Sequence, residues 1–533
     1  MIRMRYRGTA EFVLSKPLPR EAINEIPKLI DEFNKNILRR GAKKEEEAAK
    51  IKSWTTKDNT LAFEIVSGTK VRVHVATLRI RKALVKFLGQ HRIGIRKTRL
   101  VDAEIILDGD YNITAQIPFV KEVVKEGGKT IVKLEVLEET ELEKPYIDRM
   151  IKLFELKELR AKWGGKAEHW ILIKSSPPRE YTFKEDPNII LEKSGLMKRY
   201  AVGQYVYTPP LAWMFNKLQE LFINEVLKPL GFIEVILPKV SPLEVALRSG
   251  HLKGAAHNMV FVCTPVSSDP SELESWYDWV YITENPDGKM LQRYLDPVSY
   301  YMEYAQCPPF YAFLSKEVID PKKPLKWYDK SGPSFRFEPV GGVRGLERLF
   351  EFHRIEIIWL GEPEQVIQIR NELLEKYEYF MQKVLDLEYR FAWVTPWFLV
   401  HAGEIREEKL DLNQPGTIDF EAYLPYKGPR EDPHSWLEIG NISIHGTKFT
   451  KPFLIKHKNP KKIVWTGCSG FGTERWLLAF LAQHGFDPDN WPEKVRNAFK
   501  GIPEPLEIVT YPKPEGKKIL EDLKKTLFAK LRA

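Results

Sequence analysis

The sequence predicts a mixed α+β chain with at least two domains, and three observations carry that expectation. Its 533 residues exceed what one hydrophobic core normally serves. The stretch Phe335–Trp359 (FRFEPVGGVRGLERLFEFHRIEIIW) starts and ends as strand-type sequence around Gly341-Gly342, which reads as a hairpin. Leu211–Leu230 and Glu364–Leu387 instead carry apolar residues at helical spacing.

The totals narrow the class. Lys and Arg number 82 against 73 Asp and Glu, giving +9, which suits a polyanionic partner without specifying one. No apolar run reaches the length of a membrane span, and Met1–Lys16 lacks the apolar core of a signal peptide. A soluble, cytoplasmic protein with no membrane partner is expected. Cys263, Cys307 and Cys468 are too few for a disulfide framework.

Residues 1–165 read as one unit. Tyr6–Ser15 and Leu61–Val75 alternate like strands, and Glu21–Ile51 reads as a charged helical stretch. Between Val71 and Leu100 stand nine basic residues and no acid: Arg72, Arg79, Arg81, Lys82, Lys86, Arg92, Arg96, Lys97 and Arg99. A phosphate backbone and plain solubility are served equally by such a face. Strand-like Ala103–Gln116 and Thr130–Val136 flank Gly127-Gly128, and a helical run Leu142–Lys162 leads to Trp163-Gly164-Gly165, taken as the domain boundary.

In the second domain, Leu211, Met214, Phe215, Leu218, Leu221, Phe222 and Val226 define a helix stopped by Pro229 and Gly231, with a strand, Phe232–Leu237, after it. Residues 241–330 are irregular and rich in aromatics. Pro308-Pro309 cannot extend a helix or sheet interior, so Cys307 is expected where an element stops. Trp393–Phe398, Gly416–Leu424 and Trp436–Ser443 read as strands, the last carrying Glu438 and Asn441. In Val464–Trp476 (VWTGCSGFGTERW) three glycines precede a helix whose start holds Arg475, a suitable place for a phosphate.

The hairpin has a polar lining. Arg336 and Glu338, and again Arg354 and Glu356, are two apart and share a strand face, with Arg344, Arg348 and Phe352 near them. Alternating charges usually mean a salt-bridged surface. The same groups also suit a nucleotide: forked donors for phosphate, a carboxylate for an amine, a ring for a base. The order Phe-Arg-x-Glu, glycine loop, Arg, Phe-x-x-x-Glu resembles motif 2 of the class II aminoacyl-tRNA synthetases. The helix and strand at 211–237 resemble motif 1, and VWTGCSGFGTERW resembles motif 3. AQCPPF, GLERLFEFHRIEI, AWVTPWF, GTIDFEAYLPY and WTGCSGFG, with VRVHVATLRIRKAL and IGIRKTRLVDAEI, are similar to the atypical, methanogen-type archaeal seryl-tRNA synthetases over roughly residues 1–505. No heptad run suggests the coiled-coil arm of the common seryl enzymes.

The resemblance implies a core of antiparallel strands flanked by helices at residues 166–505, a separate α/β amino-terminal domain that holds tRNA(Ser), and a homodimer. It implies one Zn2+ per subunit on Cys307, Glu356 and Cys468, a set with an open tetrahedral position. For ATP it implies Arg336 at the α-phosphate and the serine carboxylate, Glu338 at the adenine amine, Phe352 stacked on adenine, and Arg475 over the other face. Arg475 and Arg348 would meet the γ-phosphate, and Glu438 would carry Mg2+. Serine would be read by Arg354, Trp397, Asn441 and Ser443; His401 stands where the family has glutamine. Residues 506–533 extend the family's usual terminus and read as a basic amphipathic helix, a solvated tail unless it touches RNA or a second subunit. Two rivals remain in view. One is a synthetase for threonine or another amino acid, against which the Cys/Glu/Cys pattern speaks; the other is a synthetase-like protein that charges a carrier or binds RNA without aminoacylation.

Overall fold

The computed structural model describes residues 4–111, 113, 116–162, 170–338, 342–396, 399, 411–506 and 514–532. The chain divides into two compact units, Met1–Lys166 and Ala167–Ala533.

The first unit is an antiparallel sheet with helices. Strands β1 (Met4–Leu14), β2 (Ala49–Lys57), β3 (Thr60–Ser67), β4 (Ile95–Asp108), β5 (Val120–Glu126) and β6 (Lys129–Leu134) lie in the order β2-β3-β1-β4-β6-β5, and the short Leu137–Glu138 pairs with β4. Helices α1 (Arg20–Glu32), α2 (Val73–Gln90) and α3 (Tyr146–Lys162) complete it. Alternate residues of β1 (Tyr6, Ala10, Phe12, Leu14) are buried in one core with Ile80, Leu84 and Leu88 of α2. Three expectations shift. The segment ending at Ile51 is not helical throughout, because Ala49 and Ile51 alternate into the core as strand β2. Strand β3 ends at Ser67 and α2 starts at Val73, so the single strand expected to Val75 divides. Gly127 and Gly128 join β5 to β6, both at positive φ (+56° and +70°) as a tight hairpin requires; the strand before them is β5, not Ala103–Gln116.

The basic stretch is partly committed inside this unit. Arg72 pairs with Asp148, Arg79 donates to the carbonyls of Ile37 (3.1 Å) and Arg40 (2.7 Å), and Arg81 lies 2.6 Å from Glu139. Lys82, Lys86, Arg96 and Lys97 are exposed.

In the second unit the main sheet contains β7 (Trp170–Ser175), β8 (Ile233–Glu234), β9 (Leu325–Asp329), β10 (Pro333–Phe335), β11 (Glu351–Gly361), β12 (Tyr389–Val394), β13 (Gly416–Tyr423), β14 (Trp436–Gly446) and β15 (Trp465–Gly472). Their order is β8-β9-β11-β15-β14-β13-β12-β7, with β10 on β11. Edge strand β8 runs parallel to β9; the other pairings are antiparallel. Helices α4 (Pro209–Phe222), α6 (Pro363–Tyr379) and α7 (Thr473–His484), with the short α5 (Pro308–Phe313), surround it. One sheet face is apolar: Ile355, Ile357 and Trp359 on β11, Phe471 on β15, Ile442 and Ile444 on β14. These pack with Leu373 and Tyr377 of α6 and Trp476 and Leu477 of α7. The opposite face is thereby left for polar groups.

Cys307 sits where an element begins, not where one stops. It caps α5, and Pro308 and Pro309 occupy the first helical turn, where a missing N–H costs nothing. The carboxy-terminal segment also departs from the expected solvated tail. Helix α8 (Pro514–Leu523) and the turns after it place Leu523, Leu527, Phe528 and Leu531 in the second unit's core. Gly501 N–H donates to the Leu531 carbonyl at 2.7 Å, and Lys530 lies 2.5 Å from both Asp487 and Asp489. Truncating Phe528 to alanine is therefore expected to destabilise this unit by about 3–5 kcal/mol. Denaturant unfolding followed by tryptophan fluorescence checks this, and a wild-type midpoint would mean the segment is detached in solution.

Candidate active site

Strand register assembles the polar face. Arg354, Glu356 and Ile358 of β11 stand opposite Gly472, Gly470 and Cys468 of β15, while Asn441 and Ser443 of β14 stand opposite Gly470 and Cys468. Because side chains alternate along a strand, all these positions face one way. Gly470 is a spatial requirement here. A Cβ at that position would lie 2.6 Å from Nη2 of Arg354, so glycine makes room for a buried guanidinium.

Arg336, Glu338, Arg348, Phe352, Arg354, Glu438, Asn441 and Arg475 line one cavity. Arg336 and Glu338 follow β10 on the strand-like arm of the expected hairpin, whose Gly341 is outside the described residues. The Arg336 guanidinium lies over the rings of Tyr304 (4.4 Å) and Phe352 (5.2 Å). Arg348 is held by Glu338, with Nε 2.7 Å and Nη2 2.6 Å from Oε2. Arg475 donates to the carbonyls of Glu347 and Glu438, both at 2.7 Å. Burial, together with the charges of Arg336 and Arg348, holds its proton affinity below the usual arginine range against the pull of Glu438. Three guanidiniums crowded in this way have the chemistry to meet a polyanion.

Behind Arg354 lies a second cluster. One ligand atom each from Cys307, Glu356 and Cys468 lies within 4.8 Å of the others. Arg354 forms an ion pair with Glu356, yet both Glu356 oxygens are buried without a hydrogen-bond partner. Burial raises the Glu356 carboxyl above its ordinary range despite Arg354. Contact with Cys307, then burial, raises the Cys468 thiol well above its own. Metal binding to donors of this kind displaces whatever protons they hold. Tetrahedral bonds of about 2.3 Å put ligands roughly 3.8 Å apart, so closing on one ion requires only a small inward shift. The donors thus fit a thiophilic divalent ion. No spacing rule links residues 307, 356 and 468, and only resemblance to a family could gather them.

Ser443 is buried beside the cysteine, with its hydroxyl 2.7 Å from that of Thr417. Trp397 and His401 lie outside the described residues. Several neighbours escaped the sequence reading because a lone residue carries no pattern: Thr417, His445 (Nε2 3.4 Å from Cys468 Sγ), and the pair His353 and Glu474. The buried Glu474 carboxylate accepts from His353 N–H at 2.8 and 3.0 Å and meets Nδ1 at 2.9 Å. Burial alone would lower the His353 pKa, but the Glu474 hydrogen bond and charge outweigh it, and the histidine titrates above its ordinary range. The stabilisation from protonated His353 is therefore complete below about pH 6.5 and is lost as pH rises through the elevated folded-state value. The difference in unfolding free energy between wild type and His353→Gln is expected to shrink over that window; a gap that widens with pH would contradict the pairing.

Comparison with known proteins agrees with this geometry. Residues 4–156 match the family described as tRNA-binding domain, and residues 294–484 match tRNA synthetase class II core domain (G, H, P, S and T). The type-2 serine–tRNA ligase of Methanococcoides burtonii is 40% identical over 496 residues, 92% of this chain and 97% of that one. Its counterpart from Methanothrix thermoacetophila is 38% identical over 507 residues, 93% and 99% of the two chains. A crystal structure of A. aeolicus tRNASec in complex with M. kandleri SerRS superposes with a TM-score of 0.78 at 32% identity, covering 96% of this chain and all of that one. With such relatives matched over nearly its whole length, and with the motif arginines lining one cavity, the chain belongs to the type-2 serine–tRNA ligases, a family built on the class II synthetase core.

Proposed function

We propose that this chain activates serine with ATP and transfers the seryl group to tRNA(Ser). The observation that carries the reading is the Arg354–Glu356 pair, which joins an arginine-lined cavity to a Cys/Glu/Cys donor set. In the first step a serine carboxylate oxygen attacks the α-phosphorus, the bond to the bridging oxygen breaks, and pyrophosphate leaves with that electron pair. In the second, a hydroxyl of the terminal adenosine of tRNA attacks the seryl carbonyl carbon and AMP leaves.

The protein's task is positioning and charge compensation. Arg336 holds the α-phosphate and the attacking carboxylate between them. Its cation sits over Phe352, which offers adenine a flat face, and Arg475 covers the other face and reaches the γ-phosphate. Glu338 accepts from the adenine amine, so ATP must first part it from Arg348. The γ-phosphate is a stronger partner for Arg348 and releases the carboxylate for the base. Glu438, half-exposed at the cavity edge, would be the carboxylate to hold Mg2+, which would supply charge compensation for the phosphates.

Serine is a small target, since a methyl group discriminates by only about 1–3 kcal/mol. Zn2+ on Cys307, Glu356 and Cys468 would supply a Lewis-acidic fourth position suited to an amine. Arg354, Asn441, Ser443 and Trp397 read the rest, and Thr417 holds the Ser443 hydroxyl in place. A substrate hydroxyl that failed to arrive would leave buried polar groups unpaired, which rejects alanine more firmly than size alone.

A homodimer suits the exposed apolar residues around the sheet edge. Ile233 of β8 and Ile236 after it are 66% and 78% exposed, although an open strand edge with such residues normally seeks a partner. A cytoplasmic setting fits tRNA charging, and no described helix is long and apolar enough to cross a membrane.

Pyrophosphate exchange is expected with serine, and a zinc chelator is expected to abolish it. Exchange that ignores chelation would remove the metal from the account, and none with any amino acid would favour a protein that binds RNA or a carrier. Gly470→Ala, which crowds Arg354, is expected to raise the serine KM in that assay at least tenfold with the ATP KM little changed (about 1.4 kcal/mol); an effect on ATP alone would contradict the assignment. Arg96→Ala and Lys97→Ala should weaken tRNA charging and spare exchange, whereas equal losses in both assays would refute the division between the two units.

A further inference from the structure

His445 stands at the end of β14, 1% exposed, with Nε2 3.4 Å from the Cys468 sulfur. The ring is fixed from several sides. Its edge meets Phe449 (centroids 4.8 Å apart, planes at 89°), and Phe449 in turn stacks on Tyr311 at 4.1 Å. Nδ1 lies 3.1 Å from the Thr466 hydroxyl and 3.5 Å from the Tyr311 hydroxyl. A Thr466 hydroxyl hydrogen donated to the Nδ1 lone pair would leave the ring hydrogen on Nε2. Nε2 is the ring nitrogen within reach of the sulfur. The set of mutually close donor atoms consists of Cys307, Glu356 and Cys468 and does not include His445. The imidazole therefore stands behind one ligand and is not itself a member of the set.

We propose that His445 is a positioning residue for the metal site: its Nε2–H donates a hydrogen bond to Cys468 Sγ and fixes that sulfur in its ligating direction without binding the ion. The inference rests on the zinc reading given above. Partners of this kind commonly set metal affinity by about 10–100-fold, because a ligand that must be immobilised on binding holds its ion less well. They also lower the electron density a thiolate offers the metal, which a spectrum can register separately from affinity.

Two amide variants separate the hydrogen bond from the bulk of the ring. The amide of His445→Gln reaches about where Nε2 lies and keeps a donor to sulfur. His445→Asn reaches only the Nδ1 side. Zinc affinity is measured by competition with a chromophoric chelator on full-length protein, and the thiolate-to-metal charge-transfer band is read after cobalt substitution. The Asn variant is expected to bind zinc about 10–100-fold more weakly and to shift that band, with Gln close to wild type in both. Wild-type affinity in the Asn variant, or equal losses in the two, would overturn the proposal. Should the Asn variant not fold, cadmium-113 in the wild-type chain decides: a scalar coupling between the metal and the Nε2 proton is expected, and its absence would overturn it. A wild-type chain that binds no zinc fails the earlier reading and takes this one with it, an outcome distinct from a zinc affinity indifferent to residue 445.

Discussion

One buried carboxyl and two thiols, one buried and one half-buried, lie within reach of each other beside a single arginine and are the constraint to which the rest of the second unit answers. Burying a charged carboxylate costs several kcal/mol unless it is paired, and one guanidinium shared with a substrate cavity is incomplete compensation. A sheet interior tolerates such a cluster only where the backbone is already satisfied by its ladder and the opposite face supplies the stability. Strands β11, β15 and β14 meet both conditions. Their apolar face carries Ile357, Trp359 and Phe471 against α6 and α7, and the free-energy gain there underwrites the polar face.

The same register sets the arginine-lined cavity and the Cys/Glu/Cys donor set side by side. Arg354 is both a wall of the arginine-lined cavity and the counter-ion of Glu356. Gly470 keeps the space this requires. Around the cavity, the guanidiniums of Arg336, Arg348 and Arg475 are parked on rings, on Glu338 and on backbone carbonyls. Their positive charges are thus held in place by groups of the protein itself, Arg348 by a carboxylate and the other two by rings and carbonyls.

Much of this was legible in the sequence, for physical reasons that also mark its limits. Strands such as Glu351–Gly361 and Trp436–Gly446 announce themselves by alternation, and the glycines before Thr473 announce a close backbone approach. Boundaries fared worse where one residue type serves opposite ends of an element: Pro308-Pro309 stop some helices and start others, and here they start one. The run through Ala49 and Ile51 looked helical because its exposed lysines hide a two-residue period. Charge counts along Val71–Leu100 could not reveal that Arg72 and Arg81 meet acids from Asp148 and Glu139 far along the chain. Nor could any spacing disclose His445, His353 or Thr417, whose roles exist only once strands and helix ends are brought side by side. The tail beyond residue 506 misled by composition: Lys517, Lys518 and Lys525 are exposed, while four apolar residues at helical spacing join the core.

The claim most exposed to refutation is that two sulfurs and a carboxylate share one ion. X-ray absorption at the zinc edge of the purified full-length chain reads this directly. One zinc per chain with two sulfur scatterers and two oxygen or nitrogen scatterers is the predicted result. A chain free of zinc after preparation in its presence, or a metal shell containing no sulfur, would contradict the account.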